Sequence, residues 1–372
     1  MRILVDGMPR TMGGIGTLLL NIIDYNEKIG NRQACQFEFL VPEKSTYVTV
    51  LKQKGYCYYE VPKFYTHKYK GIVKRIFKQK KYDFIWINNT SKINIFLLKI
   101  AKRNQCKIIV HSHGVATEAR GLKKVVFSLI EKVQGEKYCK MSDIQLACSN
   151  ASADYFYPVD MRCRCKIMIN GLEVSKFIFN EDDRNFIRDK LSIKENEILL
   201  GAVGRLTKVK NYEFIIALME KLPNEYKLIV LGEGEQEKEL LMDIDKRDLS
   251  NRVKLLGKVK EVEKYMSAMD AFLMPSLNEG MPFALIEAQA NGLKCIVSTG
   301  VSSESKIIDC VEYVDLKDSK TWIEELKRID NSTDTRLKNG NQVINSKYNI
   351  EQSYKLFMEC MKDTGGNNEN KN

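Results

Sequence analysis

Residues 271–292 read AFLMPSLNEGMPFALIEAQANG. The apolar run Ala271–Met274 predicts a buried strand, because strands covered on both faces are continuous runs of apolar residues. Pro282 suits the first turn of a following helix, where its missing N–H would have no partner, and Gly292 suits the end of that helix. The stretch therefore predicts a strand, a loop and a helix, which is the repeating unit of a parallel α/β sheet.

This pattern extends along the chain in both directions. Apolar runs are separated by amphipathic stretches of helical length, which favours an α/β fold of doubly wound parallel sheets with ligands at the carboxyl ends of the strands. The other predicted strands are Arg2–Val5, Phe37–Val41, Phe84–Ile87, Lys107–Val110, Ile144–Ala147, Lys166–Ile169, Ile198–Val203, Lys227–Leu231, Arg252–Leu255, Lys294–Val297 and Val311–Val314. Helical patterns include Ile15–Glu27, Lys92–Lys102, Gly121–Tyr138, Tyr212–Lys221 and Glu235–Asp245.

The chain has 372 residues, which at ~150 residues per domain indicates about two domains. A turn dipeptide at Asn170-Gly171 and the polar stretch before Ile198 place the boundary between them. We predict domains at 1–175 and 176–349, a helix at 350–363 and a frayed tail at 364–372.

Composition narrows the class of protein. Hydrophobic residues make up 44% and charged residues 29%, as in folded soluble proteins. The ten cysteines are scattered without a CxxC motif, which favours reduced thiols over disulfides or a zinc site. The start MRILVDGMPR is typical of an opening strand and not of a signal peptide, and no run approaches the ~18 apolar residues of a membrane span.

The formal net charge is +11, and it is unevenly distributed. Residues 1–175 carry 29 basic and 14 acidic side chains, a net of +15, whereas the remaining residues carry a net of −4. The stretch 63–81 holds eight Lys or Arg residues and no acidic residue, interleaved with aromatic and aliphatic residues. It is typical of an interfacial helix on anionic lipid, with RNA binding or a solvated helix face as alternatives.

Two carboxylates bracket the predicted start of the helix at Pro282. Glu279 lies in the loop, and Glu287 lies about a turn and a half into the helix. A helix N-terminus offers free N–H groups and a positive dipole, so it suits a phosphate or sugar oxygen, and carboxylates accept hydrogen bonds from diol hydroxyls. The alternative is that Glu279 caps the helix and Glu287 lies on a solvated face.

A second candidate site is GAVGRLTKVKN, residues 201–211. Arg205 and Lys210 follow a predicted strand, and their forked and compact cations suit the two phosphates of a pyrophosphate. The alternative is a solvated loop in which Lys208 and Lys210 serve solubility. Asp243-Ile-Asp245 lies in a helical pattern and is typical of a solvated helix face more than of a Mg²⁺ site.

Two further motifs follow predicted strands. GGIG, residues 13–16, opens a helix, but position 19 is Leu, so the dinucleotide fingerprint GxGxxG fails and NAD binding is disfavoured. HSHG, residues 111–114, places two histidines at a strand end, where functional side chains lie in this architecture. We favour His113 over His111 as the functional residue, because Gly114 leaves room for a ligand. A structural histidine is the alternative for either.

Together and in order, these segments resemble the family 4 retaining glycosyltransferases, particularly those of bacterial capsule and exopolysaccharide synthesis. The resemblance implies a GT-B fold, with two Rossmann-like domains facing a central cleft. It rests on GGIG (13–16), HSHG (111–114), ACSNAS (147–152), INGLEVSKF (169–177), GAVGRLTKVKN (201–211), LGEGEQ (231–236), LLGKVKEV (255–262) and NEGMPFALIEAQANG (278–292).

The resemblance also implies a role for each candidate residue. Arg205 and Lys210 would hold the donor diphosphate, Glu287 the ribose hydroxyls, and Glu279 the transferred sugar. His113 would lie near the donor sugar, so that the implied catalytic residues are His113, Glu279, Arg205 and Lys210. Backbone groups that would complete the donor site come from Gly14, Gly16, Gly280, Met281 and Phe283.

The implied activity is transfer of a hexose or N-acetylhexosamine from a UDP-sugar to a lipid-linked glycan, with retention and without metal or another cofactor. The implied setting is the inner face of the plasma membrane, where a cytoplasmic protein is held by residues 63–81 and binds no nucleic acid. The alternatives are a GT-B nucleotide-sugar epimerase, which needs no acceptor, and a non-catalytic protein that binds RNA or membrane.

Overall fold

The computed structural model of the chain describes residues 1–11, 13–114, 122–330 and 332–365. They form two compact units, the first comprising Met1–Leu172 with the segment from Ile350 onward, and the second Glu173–Asn349. The division thus falls at residue 172, where the sequence analysis placed it at 175. The last helix extends two residues into the predicted tail, and residues 366–372 of that tail lie outside the described residues.

The first unit is built on a parallel sheet of seven strands in the order β3-β2-β1-β4-β5-β6-β7. The strands are β1 (Arg2–Asp6), β2 (Gln36–Pro42), β3 (Cys57–Val61), β4 (Phe84–Asn89), β5 (Lys107–Ser112), β6 (Ile144–Ala147) and β7 (Lys166–Ile167). The helices are α1 (Gly14–Lys28), α2 (Tyr47–Gln53), α3 (His67–Gln79), α4 (Ile95–Arg103), α5 (Leu122–Lys140), α6 (Asn150–Phe156), α7 (Val159–Arg162) and, at the end of the chain, α15 (Ile350–Gly365).

The core of the first unit lies on both faces of this sheet. Ile3 and Val5 of β1 belong to one buried cluster, which also contains Phe357 of α15, whereas Leu4 belongs to the cluster on the opposite face. Successive side chains of a strand point to opposite faces, so a strand buried on both sides needs an unbroken apolar run. The predicted α/β architecture is therefore confirmed in this unit.

The second unit is built on a parallel sheet of six strands in the order β10-β9-β8-β11-β12-β13. The strands are β8 (Ile198–Val203), β9 (Tyr226–Leu231), β10 (Val253–Leu255), β11 (Ala271–Met274), β12 (Lys294–Ser298) and β13 (Val311–Val314). The helices are α8 (Glu181–Leu191), α9 (Tyr212–Met219), α10 (Glu237–Lys246), α11 (Val262–Ala268), α12 (Phe283–Ala290), α13 (Ser319–Leu326) and α14 (Thr333–Ile344). This sheet is also doubly wound, as predicted.

Helix α3 corrects the interpretation of the basic stretch 63–81. Its apolar side chains pack into the core of the first unit and are buried at Tyr69, Val73, Ile76 and Phe77. Only the basic face is exposed, including Lys74, Arg75 and Lys78. The prediction that the apolar residues of this helix face lipid is therefore wrong, because the sheet covers them. Among the described residues, no helix is both long and apolar enough to cross a membrane.

A buried ion cluster fixes the amino-terminal end of β11 in the second unit. The Asp270 carboxylate accepts hydrogen bonds from Arg184 at 2.6 Å and Arg188 at 3.1 Å, both on α8. It also accepts the Leu199 backbone N–H of β8 at 2.6 Å. Asp270 is 2% exposed, so its charge is compensated by these donors and not by water. The cluster ties one helix to two central strands.

We expect Asp270→Asn to lower the free energy of unfolding by about 3–5 kcal/mol, because it leaves two guanidinium groups without a counter-charge in a mostly buried place. Chemical denaturation of the whole chain in urea, followed by tryptophan fluorescence and circular dichroism, measures this. The control is Asp243→Asn, which removes one of the two acidic partners of Arg247, the other being Glu220, and should cost about 1 kcal/mol or less. Equal losses in the two variants would contradict the role of the buried cluster.

Candidate active site

The strand order of the second sheet reverses between β8 and β11. From β8 the chain proceeds outward to β9 and β10, and from β11 it proceeds to β12 and β13 on the other side. The connections that follow these two neighbouring strands therefore run to opposite sides of the sheet, and doubly wound sheets bind ligands in the crevice at the carboxyl ends of such strands. The connections begin with loops 204–211 and 275–282, which hold the predicted residues Arg205, Lys210 and Glu279.

Hydrogen bonds join the two loops near the crevice. The Leu277 N–H donates to the Val209 carbonyl at 2.7 Å, and the Asn211 side-chain amide donates to the Pro275 carbonyl at 3.2 Å. The second loop is also fixed on its other side, because the Glu279 N–H donates to Gly300 at 3.0 Å. The side chains of these loops are thus held on a defined backbone.

Lys210 and Glu279 meet at the crevice. The Lys210 Nζ lies 2.6 Å from a Glu279 carboxylate oxygen, and the two side chains are 17% and 20% exposed. Glu279 makes no cap of α12, whose N-cap is Pro282 with no side-chain hydrogen bond. The structure thus brings together two of the predicted residues and argues against the alternatives of a helix cap and of a lysine that serves solubility alone.

Arg205 lies in the same loop as Lys210. Its side chain is exposed, and within the part of the chain that the structure describes its guanidinium forms no ion pair. Gly204, just before it, has a φ of +153°, a region that L side chains rarely adopt. The backbone turn at Gly204 therefore places the unpaired guanidinium of Arg205 at the carboxyl end of β8.

The N-terminus of α12 lies beside this pair. Gly280 and Met281 precede Pro282, and a side chain built on Gly280 would meet no atom within 4 Å. Because no side chain caps this helix, the first backbone N–H groups, including that of Phe283, are open to an anionic or hydroxyl oxygen. These are the backbone groups predicted for the donor site.

Glu287 is a partly buried residue of α12, which argues against a solvated helix face. Burial raises the pKa of its carboxyl to about 7, while the positive charge of Lys176 lowers the pKa and the negative charge of Glu263 raises it. The structure shows neither a hydrogen bond nor an ion pair between Glu287 and the pair Lys210–Glu279 within the described residues. A ligand whose hydroxyl groups donate hydrogen bonds to the Glu287 carboxyl would stabilise its ionised form.

Sequence reasoning missed Tyr212, the first residue of α9. Its side chain is 2% exposed, and its hydroxyl has no hydrogen-bond partner among the described residues. A side chain built on Gly204 would approach this hydroxyl to 2.8 Å, so the glycine makes room for it. Gly204 was the available signal in the sequence, but the sequence does not show that Tyr212 lies next to it.

The two histidines of HSHG lie in the first unit and have different environments. His111 is fully buried and stacks on Trp86, with ring centroids 6.2 Å apart. The His113 Nε2 lies 2.9 Å from Asn88 Oδ1, and the Asn88 amide nitrogen donates to the Asp6 carbonyl. Burial lowers the pKa of His113 to about 3, so the ring is neutral at physiological pH. The structure thus gives His111 a core position.

The Asn88 contact also defines the tautomer of His113. Because Asn88 Oδ1 can only accept, His113 Nε2 carries the proton and donates. The other nitrogen, Nδ1, then has a lone pair and no partner among the described residues. His113 therefore has a buried hydrogen-bond acceptor without a partner, and its predicted place near the donor sugar stays a prediction.

The glycines of GGIG surround the start of α1. Gly14 is the exposed first residue of this helix, whereas Gly16 is buried against Tyr47. A side chain on Gly16 would approach the Tyr47 hydroxyl to 2.0 Å, so packing alone requires glycine there. The predicted contact of this loop with the donor stays a prediction.

Among the described residues, no three His, Cys, Asp or Glu side chains lie close enough together to bind a metal ion. Asp243 of the DxD sequence instead pairs at 2.8 Å with Arg247, the residue that follows the end of α10. This contact fits a surface ion pair on a helix face.

Two units that are each built on a doubly wound parallel sheet are the architecture of the GT-B fold. Residues 183–342 match the family described as "Glycosyl transferases group 1". The matched residues lie within the second unit, which holds Arg205, Lys210 and Glu279.

Its relatives include the protein EpsF of Bacillus subtilis, 30% identical over 146 residues, which are 38% of each chain. A second relative is the Escherichia coli "UDP-Gal:alpha-D-GlcNAc-diphosphoundecaprenol alpha-1,3-galactosyltransferase", 27% identical over 273 residues, or 68% of each chain. Among solved structures, Anabaena Alr3699/HepE in complex with UDP covers 98% of this chain and 100% of its own, with a TM-score of 0.77. At 16% identity, this last likeness shows the fold alone.

The buried carboxyl of Glu287 predicts a pH effect on stability. Its pKa is about 7 in the folded protein against 4.5 for an ordinary glutamate, so the folded state keeps a proton that the unfolded chain releases. Stability therefore falls as the pH rises through this window. We expect the melting temperature of Glu287→Gln, relative to the unmodified protein, to be higher at pH 8 than at pH 5.

Thermal unfolding without ligand at the two pH values measures this effect. The control is Glu237→Gln, which changes an exposed carboxylate of α10. Its melting temperature relative to that of the unmodified protein should be the same at pH 5 and pH 8. If the melting temperature of Glu287→Gln differs from that of the unmodified protein by the same amount at pH 5 and pH 8, the raised pKa of Glu287 is contradicted.

Proposed function

We propose that the protein transfers a hexose or an N-acetylhexosamine from a UDP-sugar to a lipid-linked glycan in the synthesis of a bacterial surface polysaccharide. The transfer retains the anomeric configuration and needs no metal ion. The observation that supports this most directly is the contact of Lys210 with Glu279 at the crevice of the second sheet. It joins a cation suited to phosphate and a carboxylate suited to sugar hydroxyls at one point.

The donor binds in the second unit. Lys210 and Arg205 take the diphosphate, whose oxygens replace the Glu279 carboxylate as partner of the Lys210 ammonium. The Glu279 carboxylate then accepts hydrogen bonds from hydroxyls of the transferred sugar, and Glu287 accepts those of the ribose. The choice of UDP is supported by the name of the Escherichia coli relative and by the UDP complex of the Anabaena protein.

In the reaction, the bond between the anomeric carbon and the UDP oxygen breaks while an acceptor hydroxyl oxygen bonds to the same face of that carbon. The hydroxyl proton passes to the departing phosphate oxygen. Negative charge grows on the diphosphate, so the preorganised cations and the N-terminus of α12 stabilise the transition state more than the ground state. The role of His113 beside the donor sugar stays a prediction.

The lipid-linked acceptor implies work at a membrane surface, on the cytoplasmic side. The exposed basic face of α3 supports peripheral binding there, because each basic residue near an anionic surface contributes about 1 kcal/mol. The attraction is electrostatic only, since the apolar face of α3 is covered by the sheet. The diphosphoundecaprenol in the name of the Escherichia coli relative supports a lipid-linked acceptor.

We expect Lys210→Met to weaken UDP binding roughly 10- to 150-fold, because hydrogen bonds to charged groups contribute about 1.5–3 kcal/mol. Isothermal calorimetry measures the affinity for UDP. Mass spectrometry of a reaction with UDP-sugars and a lipid-linked acceptor should show that Lys210→Met also loses sugar transfer. The control is Lys208→Met, an exposed lysine of the same loop, which should change UDP affinity less than twofold. Equal affinity in both variants would contradict the assignment of Lys210, and an isomerised UDP-sugar formed without acceptor would contradict the transferase.

We expect charge reversal at Lys74 and Lys78 together to abolish sedimentation with vesicles containing anionic lipid at low salt. The control reverses Lys320 and Lys338, exposed residues of the second unit, and changes the net charge equally. If both double variants sediment like the unmodified protein, the basic face of α3 does not bind the membrane.

A further inference from the structure

The hydroxyl of Tyr212 is a buried hydrogen-bond donor to which the proposed function gives no role. Tyr212 is the first residue of α9, belongs to the core of the second unit and is 2% exposed. Its hydroxyl has no hydrogen-bond partner among the described residues. Buried tyrosine hydroxyls usually have a partner, because burial without one loses the hydrogen bonds to water. This hydroxyl therefore costs stability unless a ligand accepts its hydrogen.

The hydroxyl lies at the crevice, beside Lys210. A Cβ atom built on Gly204 would lie 2.8 Å from the Tyr212 hydroxyl oxygen and 3.4 Å from the Lys210 Nζ. The two donors thus border the same side of the Gly204 backbone, where no side chain separates them. The Lys210 Nζ is also the atom that pairs with Glu279 at 2.6 Å. A neutral donor therefore lies close to the ion pair of the candidate active site.

Gly204 leaves the space that the two donors border. Its φ of +153° is rare for residues with a side chain, and a Cβ there would be too close to the Tyr212 hydroxyl. Glycine is used where a ligand comes close to the backbone. A ligand oxygen that approaches the Gly204 backbone from this side comes within reach of both the hydroxyl and the ammonium.

The chemistry of the two donors favours an anionic oxygen. The Lys210 ammonium can only donate, and hydrogen bonds from a hydroxyl are strongest when the acceptor is charged. Burial and, to a lesser extent, the negative charge of Glu279 raise the pKa of Tyr212 above its ordinary value, so its hydroxyl stays protonated at neutral pH. A cation beside a protonated hydroxyl suits a phosphate oxygen, which is negatively charged and accepts several hydrogen bonds.

We propose that the Tyr212 hydroxyl donates a hydrogen bond to the diphosphate of the bound sugar nucleotide, beside the Lys210 ammonium. The inference rests on the proposed function, in which the diphosphate replaces Glu279 as the partner of Lys210. The shift of Lys210 away from Glu279 opens the space at Gly204, and a diphosphate oxygen then accepts from both donors. Negative charge grows on the diphosphate as the sugar leaves, so this hydrogen bond is stronger in the transition state.

The test uses Tyr212→Phe, which removes the hydroxyl and keeps the ring that packs in the core. We expect this variant of the full chain to bind UDP roughly tenfold more weakly, because it loses a hydrogen bond to a charged group. Isothermal calorimetry measures the affinity. The control is Tyr226→Phe, a buried tyrosine of the same core at the amino end of β9, which should leave the affinity within about twofold. Equal UDP affinity in the two variants would overturn the role of Tyr212.

Thermal unfolding without ligand separates this role from a structural one. Because the Tyr212 hydroxyl has no partner among the described residues, its removal should leave the melting temperature unchanged or raise it. A lower melting temperature of Tyr212→Phe would show that the folded chain itself satisfies the hydroxyl, and the proposal would be overturned.

Two further probes locate the hydrogen bond. Uridine has no phosphate, so its affinity should be the same for Tyr212→Phe and for the unmodified protein. An equal loss of affinity for uridine and UDP would overturn the assignment to the diphosphate. UDP has no sugar, so a loss of affinity that appears only with UDP-sugars would place the hydroxyl at the sugar and would also overturn it.

Failure of the proposed function gives a different result. If UDP does not bind the unmodified protein, the proposed donor site fails, and the role of Tyr212 fails with it. If UDP binds the unmodified protein, loses affinity in Lys210→Met and binds Tyr212→Phe as tightly as before, the donor site stands. Only the role of Tyr212 is then overturned.

Discussion

The structure depends on a constraint of parallel sheets. Strands that all run in one direction must be connected by crossovers, and when crossovers leave a sheet on both sides, two neighbouring strands send their loops apart. In the second unit this happens between β8 and β11, and in the first between β1 and β4. The position of the candidate active site thus follows from the strand order of the second sheet, and the residues after β8 and β11 give it its chemistry.

Much of the fold could be predicted from continuous apolar runs. Strands β8 and β11 have the predicted bounds, because strands buried on both faces are continuous apolar runs with polar residues on either side. The edge strand β13 also has the predicted bounds, because its two end residues, Val311 and Val314, are buried. Strand β3 (Cys57–Val61) was missed, because it lies at the edge of its sheet and only Val61 is buried. Periodicity identifies burial, and an edge strand with polar and half-exposed residues carries little of that signal.

Individual residues of the candidate site could be predicted from the sequence, but their arrangement in space could not. Lys210 and Glu279 were selected from local motifs, yet their contact depends on β8 and β11 being neighbours, which no local pattern shows. The apolar side of α3 was assigned to lipid, since an amphipathic helix has the same sequence pattern whether a sheet or a membrane covers it.

Helix α15 has a consequence for how the protein is made. Its residues Tyr354 and Phe357 belong to the core of the first unit, and Phe357 lies 4.4 Å from the Trp86 ring. That core therefore includes side chains that the ribosome adds only after the entire second unit. Because domains fold as units during synthesis, the second unit, continuous in the chain, can fold while the first still exposes part of its sheet. The first unit is thus completed after the second, although its synthesis begins earlier, and until then the part of its sheet that α15 covers stays exposed.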